Sequence, residues 1–251
     1  MLSVVGTPIG NLDDLSPRAL ETLRACDLIA AEDTRHSAIL LQRYQLRKPL
    51  VSLHEHNEAR RTEELLGDLR AGKHVALVSD AGLPGICDPG ARLVAACHRE
   101  SLALQVIPGP SALATALAGS GFDGSAFHFG GFLPPKSGGR ANALAAAAGR
   151  PETTIVYETP HRLLRALEQA TLALPDRLVC VARELTKHFE EFRVATPAGL
   201  LAHYTAHPPK GEIVLVIEGG DEARRRQRKV EQATERCASR PGGAHEKTPP
   251  L

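Results

Sequence analysis

The chain has 251 residues, 43% of them hydrophobic and 24% charged, enough apolar material for one large core or two small ones, which excludes a wholly disordered chain. The formal net charge is +1, so no whole-molecule field draws in a polyanion and any nucleic acid must be met by a local patch. Five cysteines (Cys26, Cys87, Cys97, Cys180, Cys237), widely spaced and without a Cys-x-x-Cys pair, support neither a disulfide framework nor a thiolate zinc site. No apolar run reaches the ~18 residues of a membrane span and the N-terminus lacks a charged-then-apolar leader, so a soluble, cytoplasmic protein with no membrane partner is expected.

Short β-branched or apolar runs alternate with segments of helical period, the pattern of an α/β fold. In chain order the spacing predicts strands at 2–5, 28–31, 50–53, 75–79, 104–107, 127–130, 154–157, 178–182, 192–195 and 212–217. Ser16 at an N-cap and Pro17 at the first helical position open a helix over 16–25, with further helices at 59–70 and 160–173. The Gly- and Ser-rich stretch 119–131 reads as a hinge, giving units at 1–114 and 119–219. From Asp221 onward eight Lys or Arg stand against five Asp or Glu, leaving 22 basic and 24 acidic side chains in the rest. Residues 220–251 therefore read as a basic tail, a helix that frays into disorder.

Four glycine or proline breaks directly follow strands: Gly6-Thr7-Pro8-Ile9-Gly10-Asn11, Asp80-Ala81-Gly82-Leu83-Pro84-Gly85, Pro108-Gly109-Pro110-Ser111 and Glu158-Thr159-Pro160-His161-Arg162. In a mostly parallel sheet the strand C-termini share one edge, and ligands bind in the crevice outside it. All four loops are expected at one pocket, with Ser111 and Thr159 as N-caps. The loops are not a dinucleotide fingerprint, because no strand is followed by Gly-x-Gly-x-x-Gly. Gly67 to Lys73 has phosphate-loop spacing, but His74 stands where Ser or Thr is needed and the segment runs from helix to strand. There is no Gly-x-Ser-x-Gly elbow. His54 and His56 lie on one side of a strand without a third ligand in reach, so no metal site is expected.

Nine motifs occur in order: Val5-Gly6-Thr7-Pro8-Ile9-Gly10-Asn11-Leu12, Ala31-Glu32-Asp33-Thr34-Arg35, His54-Glu55-His56-Asn57-Glu58, Leu77-Val78-Ser79-Asp80-Ala81-Gly82, Asp88-Pro89-Gly90, Pro108-Gly109-Pro110-Ser111, Gly131-Phe132-Leu133-Pro134-Pro135-Lys136, Tyr157-Glu158-Thr159-Pro160-His161-Arg162 and Arg183-Glu184-Leu185-Thr186-Lys187. Together they resemble the ribosomal RNA small subunit methyltransferase I family of the tetrapyrrole methylase superfamily, over about residues 1–220. The resemblance implies two α/β domains of the tetrapyrrole methylase type with S-adenosylmethionine in the cleft between them, homodimers, and 2′-O-methylation of a decoding-centre cytidine in 16S ribosomal RNA.

Methyl transfer from a sulfonium is an in-line displacement, so positioning is most of the task. Loops rich in Gly and Pro suit a donor held by backbone groups. Pro8, Asp80, Ala81, Gly82, Pro108, Gly109, Ser111 and Gly211 are assigned to the donor side, with Tyr157 added. A ribose hydroxyl must lose its proton as the bond forms. The candidates are Glu158, His161, Lys187 and Glu190, a carboxylate or a pKa-lowered Lys being favoured over His. Arg35, Lys136, Arg140, Arg162 and Arg183 are the expected phosphate contacts, and Phe132 or Tyr157 the platform for one flipped base. Two other readings stay open: a tetrapyrrole C-methyltransferase on the same fold, and a non-catalytic RNA-binding ribosome assembly factor.

Overall fold

The computed structural model describes residues 1–238. The first half alternates β1 (Leu2–Val5), α1 (Pro17–Ala25), β2 (Leu28–Ala31), α2 (Thr34–Arg43), β3 (Leu50–Ser52), α3 (Glu58–Arg70), β4 (Val75–Val78), α4 (Ala91–Arg99) and β5 (Leu104–Ile107). The strands form one parallel sheet in the order β3-β2-β4-β1-β5. Successive side chains of a strand point to opposite faces, and here both faces are covered. Leu2, Val4, Leu28, Ala30, Val75 and Leu77 pack against Leu65, Leu66 and Leu69 of α3 and Leu93 and Ala96 of α4. Their neighbours Val5, Ile29, Ala31, Ala76 and Val78 pack instead against Ala19 and Leu23 of α1 and Leu40 and Leu41 of α2. The start of α1 is fixed as its sequence predicts, Ser16 Oγ accepting from Ala19 N at 3.1 Å.

The second half contains α5 (Ala112–Ser120), β6 (Phe127–Phe132), α6 (Ser137–Gly149), β7 (Thr153–Glu158), α7 (Pro160–Ala173), β8 (Val179–Arg183), β9 (Glu191–Ala195), α8 (Pro197–Ala206), β10 (Ile213–Ile217) and α9 (Gly220–Ala238). Its sheet runs β6-β7-β10-β8-β9 and is mixed: β6 and β7 are parallel, whereas β10 is antiparallel to both β7 and β8, and β8 is antiparallel to β9. The expected parallel arrangement therefore holds for the first sheet only. One face of the second sheet carries α6, α7 and α8 through Leu144, Leu163, Leu167, Leu200 and Tyr204. The other carries α5, whose Ala116 packs with Ile155, Cys180, Val214 and Val216, joined by Ile9 from the first half.

Helix α5 thus rests on the second sheet. The chain crosses between the sheets at Pro108–Ser111, ahead of the stretch read as a hinge. The glycines of that stretch have local work: Gly121 ends α5 in the left-handed conformation, and the Phe192 ring fills the space a side chain on Gly119 would need. All ten expected strands are present, with ends that differ by one or two residues. Helices α2, α4, α5, α6 and α8 fill segments that periodicity had left unassigned. Of the basic tail, Gly220–Ala238 is helical and the expected frayed remainder lies outside the described residues.

Candidate active site

A cavity of about 420 Å³ lies between the two sheets, within the size range of small-molecule sites. All four loops reach it: Ile9 follows β1, Asp80, Ala81, Gly82 and Leu83 follow β4, Ser111 follows β5, and Glu158 ends β7 with Thr159 and Pro160 after it. Because β10 is antiparallel to β7, its beginning lies beside the end of β7, with Ile213 opposite Glu158. This brings Gly211, Glu212, Ile213 and Val214 into the lining.

The loops are tied to one another by backbone. Thr7 N donates to Gly82 O at 2.8 Å and Gly82 N returns the bond to Thr7 O at 3.2 Å. Gly82 has φ +85°, a conformation that favours glycine. A Cβ on Gly109 would lie 2.8 Å from the Gly6 carbonyl oxygen, so these two glycines let the ends of β1 and β5 touch backbone to backbone. Pro8, Pro108 and Gly109 were expected on the donor side; they are not among the residues that line the cavity. Ser111 and Thr159 occupy N-cap positions, but neither hydroxyl makes the capping bond.

The cavity lining mixes carboxylates, Glu158 and Glu212 of the second half among them, with apolar side chains. Glu32, Asp80 and Asp88 line the side built from the first half, while Ile9, Phe132, Tyr157, Leu185, Ile213 and Val214 supply apolar and aromatic surface. The Phe132 and Tyr157 rings meet edge to face at 5.3 Å, and Phe132 is 54% exposed. Burial pushes the Asp88 carboxyl up to about 6, the charge of Asp80 adding to the rise and the Ser79 hydroxyl opposing it. Glu32 is raised by burial and then by the charges of Asp88 and Asp80. Burial chiefly lifts the Tyr157 phenol to about 12, so it stays neutral.

The expected proton acceptors fare differently. Glu158 has a fully buried side chain, with Oε1 accepting from Thr159 N at 2.7 Å and from Arg162 Nε at 2.7 Å. Its Oε2 is buried without a partner. Lys187 does not have the lowered pKa a base would need. Burial works downward, but the Glu212 and Glu184 carboxylates, accepting from Nζ at 2.8 and 3.0 Å, outweigh it and the net shift is upward. An ammonium held this way is a tether. Glu190 accepts from Thr186 N at 2.6 Å and serves the same turn. His161 is exposed on the first turn of α7 and does not line the cavity.

The basic residues also divide. Arg140 is 4% exposed, donating to Gln169 Oε1 at 2.8 Å and Pro135 O at 3.3 Å, so it clamps α6 to α7 and is removed from the RNA-facing set. Arg162 is spent on Glu158 and on Leu133 O at 2.9 Å. Arg183 donates to Glu191 Oε2 at 3.1 Å and Lys210 O at 3.2 Å. Arg35 and Lys136 are exposed, Arg35 leaning on Asp33 at 2.7 Å.

The turn 184–187 docks against the loop after β1. Thr186 Oγ1 accepts from Asn11 N at 3.0 Å, and a Cβ on Gly10 would lie 2.6 Å from Lys187 Cγ. Glu184 and Thr186 have φ of +52° and +65°, and Gly211, at φ +82°, leaves the space that the Glu184 carboxylate fills. Sequence reasoning missed Glu32, Asp88, Leu185 and Glu212 to Val214 as cavity residues. Asp88 and Glu32 were visible as carboxylates in loops after β4 and β2; Glu212 to Val214 gave no such signal.

The parallel sheet and the mixed sheet share a cleft, and the sequence profile of the tetrapyrrole (corrin/porphyrin) methylases matches residues 1–201; the chain belongs to that family of methylases. Solved structures agree on the fold: a diphthine synthase has TM-score 0.68 at 14% identity, covering 87% of this chain and 90% of that one. A uroporphyrin-III C-methyl transferase from Thermus thermophilus, complexed with S-adenyl homocysteine, has TM-score 0.61 at 17% identity, covering 86% and 96%. Within the family, the chain is a member of the group called ribosomal RNA small subunit methyltransferase I. The Synechocystis sp. protein of that name is 50% identical over 87% of this chain and 79% of its own. The Thermotoga maritima protein is 46% identical over 87% and 98%.

Proposed function

We propose that the chain transfers a methyl group from S-adenosylmethionine to the 2′-oxygen of a decoding-centre cytidine in 16S ribosomal RNA. The observation that carries this reading is the meeting of loops from both sheets on one cavity lined by carboxylates and apolar side chains, in a chain whose relatives bear the name given above. The cavity suits the donor. Its acidic side favours a cationic ligand rich in hydroxyl and amino donors, its apolar side favours a purine face, and the orphaned Glu158 Oε2 is a buried acceptor in want of a donor. Bound there, the donor supplies an electrophilic methyl group.

Asp80, Ala81, Gly82, Ser111, Tyr157 and Gly211 hold it, chiefly through backbone groups and one neutral phenol. Arg162 fixes Glu158, and the tether of Lys187 to Glu184 and Glu212 keeps the turn 184–187 against the loop after β1. Arg35 and Lys136 are the exposed cations offered to RNA phosphates, with Phe132 as a stacking surface at the rim. The proposal takes 1–114 and 119–219 as the two units, and includes a homodimer working in the cytoplasm. Among the described residues no helix is long and apolar enough to cross a membrane.

The test is incubation of the purified protein with labelled donor and small ribosomal subunits lacking the modification. Label should appear on one ribose; no transfer to RNA would sink the reading. The tetrapyrrole alternative draws on neighbours such as uroporphyrin-III C-methyltransferase at 19% identity, a likeness of fold alone. The assembly-factor alternative requires RNA affinity without donor binding, which calorimetry decides.

A further inference from the structure

Resting on that function, we infer that Phe189 is a second stacking platform, carrying the base of a nucleotide that flanks the target ribose in single-stranded RNA. Strand register places it. Phe132 at the end of β6 is opposite Tyr157, the residue before Glu158; Glu158 is opposite Ile213 at the start of β10, and Ile213 is opposite Arg183 at the end of β8. These residues form a row along one edge of the second sheet, and Phe132, Glu158 and Ile213 in it line the cavity. The turn 184–190 joins Arg183 to Glu191 beyond the end of this row, and Phe189 stands in it. Phe132 and Phe189 are 54% and 67% exposed. In the sheet β6 and β8 are three strand spacings apart, about 14 Å, with β7 and β10 between them. The two aromatic residues therefore flank the stretch of edge where β7 and β10 meet the cavity.

The turn is built to hold its shape while keeping an apolar ring in water. Lys187 N donates to Glu184 O at 3.0 Å and Glu190 N to Lys187 O at 3.1 Å, and Asn11 N from the other half donates to Thr186 Oγ1 at 3.0 Å. The His188 ring meets Phe189 edge to face at 4.8 Å. Other strongly exposed apolar side chains, Leu172 and Ile39, lie on helices α7 and α2. An aromatic ring on a rigid turn loses little freedom on stacking, and every base offers a π face. Charge on the turn does not oppose RNA, because its carboxylates are engaged. Glu184 and Glu212 meet Lys187, Glu191 meets Arg183 and Arg193 at 3.1 and 2.8 Å, and Glu190 accepts from Thr186 N. Lys136 after β6 and Lys210 before β10 are exposed at the same edge, as cations for the intervening phosphates. Two separated rings with cations between them fit a single strand, whose bases are free to stack on protein, better than a duplex, whose bases are enclosed.

The test uses the full chain and small ribosomal subunits lacking the modification. Phe189→Ala should raise KM for the subunits about 5- to 150-fold, the loss of one base–aromatic stack, with kcat and calorimetric affinity for S-adenosylhomocysteine within about twofold of the wild type. Phe189→Tyr should keep the wild-type KM, whereas Phe189→Leu, apolar but without a π face, should behave like Phe189→Ala. The chain has no Trp, so Phe189→Trp introduces a single indole. Its emission should be quenched by a single-stranded oligoribonucleotide of decoding-centre sequence, added at the concentration that saturates filter binding.

The inference is overturned if Phe189→Ala leaves KM unchanged, if Phe189→Leu performs as well as the wild type, or if saturating RNA leaves the indole emission as it was. It is overturned too if Phe189→Ala turns a dimer into monomers in sedimentation, because the ring would then be a contact between copies of the chain. Wild-type protein that methylates no RNA would instead strike the proposed function itself.

Discussion

The two walls of the cavity treat their carboxylates in opposite ways. The two lining carboxylates of the second half each have a cation: Glu158 meets Arg162, and Glu212 meets Lys187, which it shares with Glu184 behind it. In the first half Glu32, Asp80 and Asp88 crowd one surface, and none of the three is in an ion pair among the described residues. Paired carboxylates in low dielectric hold structure, because removing one partner strands the other. Burial first, and then the charge of Asp80, raises Glu32 and Asp88, at a cost in stability that persists where a cationic ligand uses it. The difference marks one wall as held by its own ion pairs and leaves the other's carboxylates open to a ligand.

The largest expected effect comes from breaking a pair. Glu158→Ala leaves the Arg162 guanidinium without its carboxylate and should cost about 3 kcal/mol in urea unfolding. Glu158→Gln, which keeps a neutral acceptor, should cost clearly less; equal losses would mean that the charge pair alone carries the effect. Next is Gly211→Ala, which combines a left-handed φ of +82° with displacement of the Glu184 carboxylate. A loss of about 1–3 kcal/mol, with weakened S-adenosylhomocysteine binding in calorimetry, is expected.

Asp88→Asn should move stability in the opposite direction, and only above a certain pH. The folded carboxyl titrates near 6 and the unfolded one near 3.8, so between these values the native state holds the extra proton. Stability therefore falls as pH rises through that window, and the loss persists above it. Thermal melts should find the Asn variant closest to the wild type below pH 3.8 and more stable than it at pH 7, a gap that a paired Asp88 would not give. The smallest effect on folding belongs to Arg35→Ala, an exposed residue whose loss should leave the melting temperature unchanged. If Arg35 meets a phosphate, the salt dependence of subunit binding should decrease in slope by about one.

Much of this arrangement was legible in the residues. Val4, Ile29 and Leu77 sit in apolar runs bounded by Gly, Pro or Asp, and such runs mark strands buried on both faces. The loops after β1, β4, β5 and β7 carried the signal for a shared rim. Strand direction was not legible: nothing in 213–217 distinguishes a strand entering the sheet backwards, so Ile213 and Val214 went unnoticed as lining. Nor does sequence separate an arginine that reaches solvent from one that clamps helices. Arg140 and Lys136 lie four positions apart, yet Arg140 falls on the face of α6 turned to α7. A lysine among acidic neighbours reads equally as a base or a tether until its carboxylates are located, and Lys187 has two.

The central claim is that both halves grip one donor molecule. Titration of the amide-labelled protein with S-adenosylhomocysteine, followed by two-dimensional NMR, tests it most directly. Shifts should appear together at Ala81, Gly82 and Ser111 and at Thr159, Gly211 and Ile213, all with one dissociation constant. Shifts confined to one of these sets, or absent from both, would contradict the account.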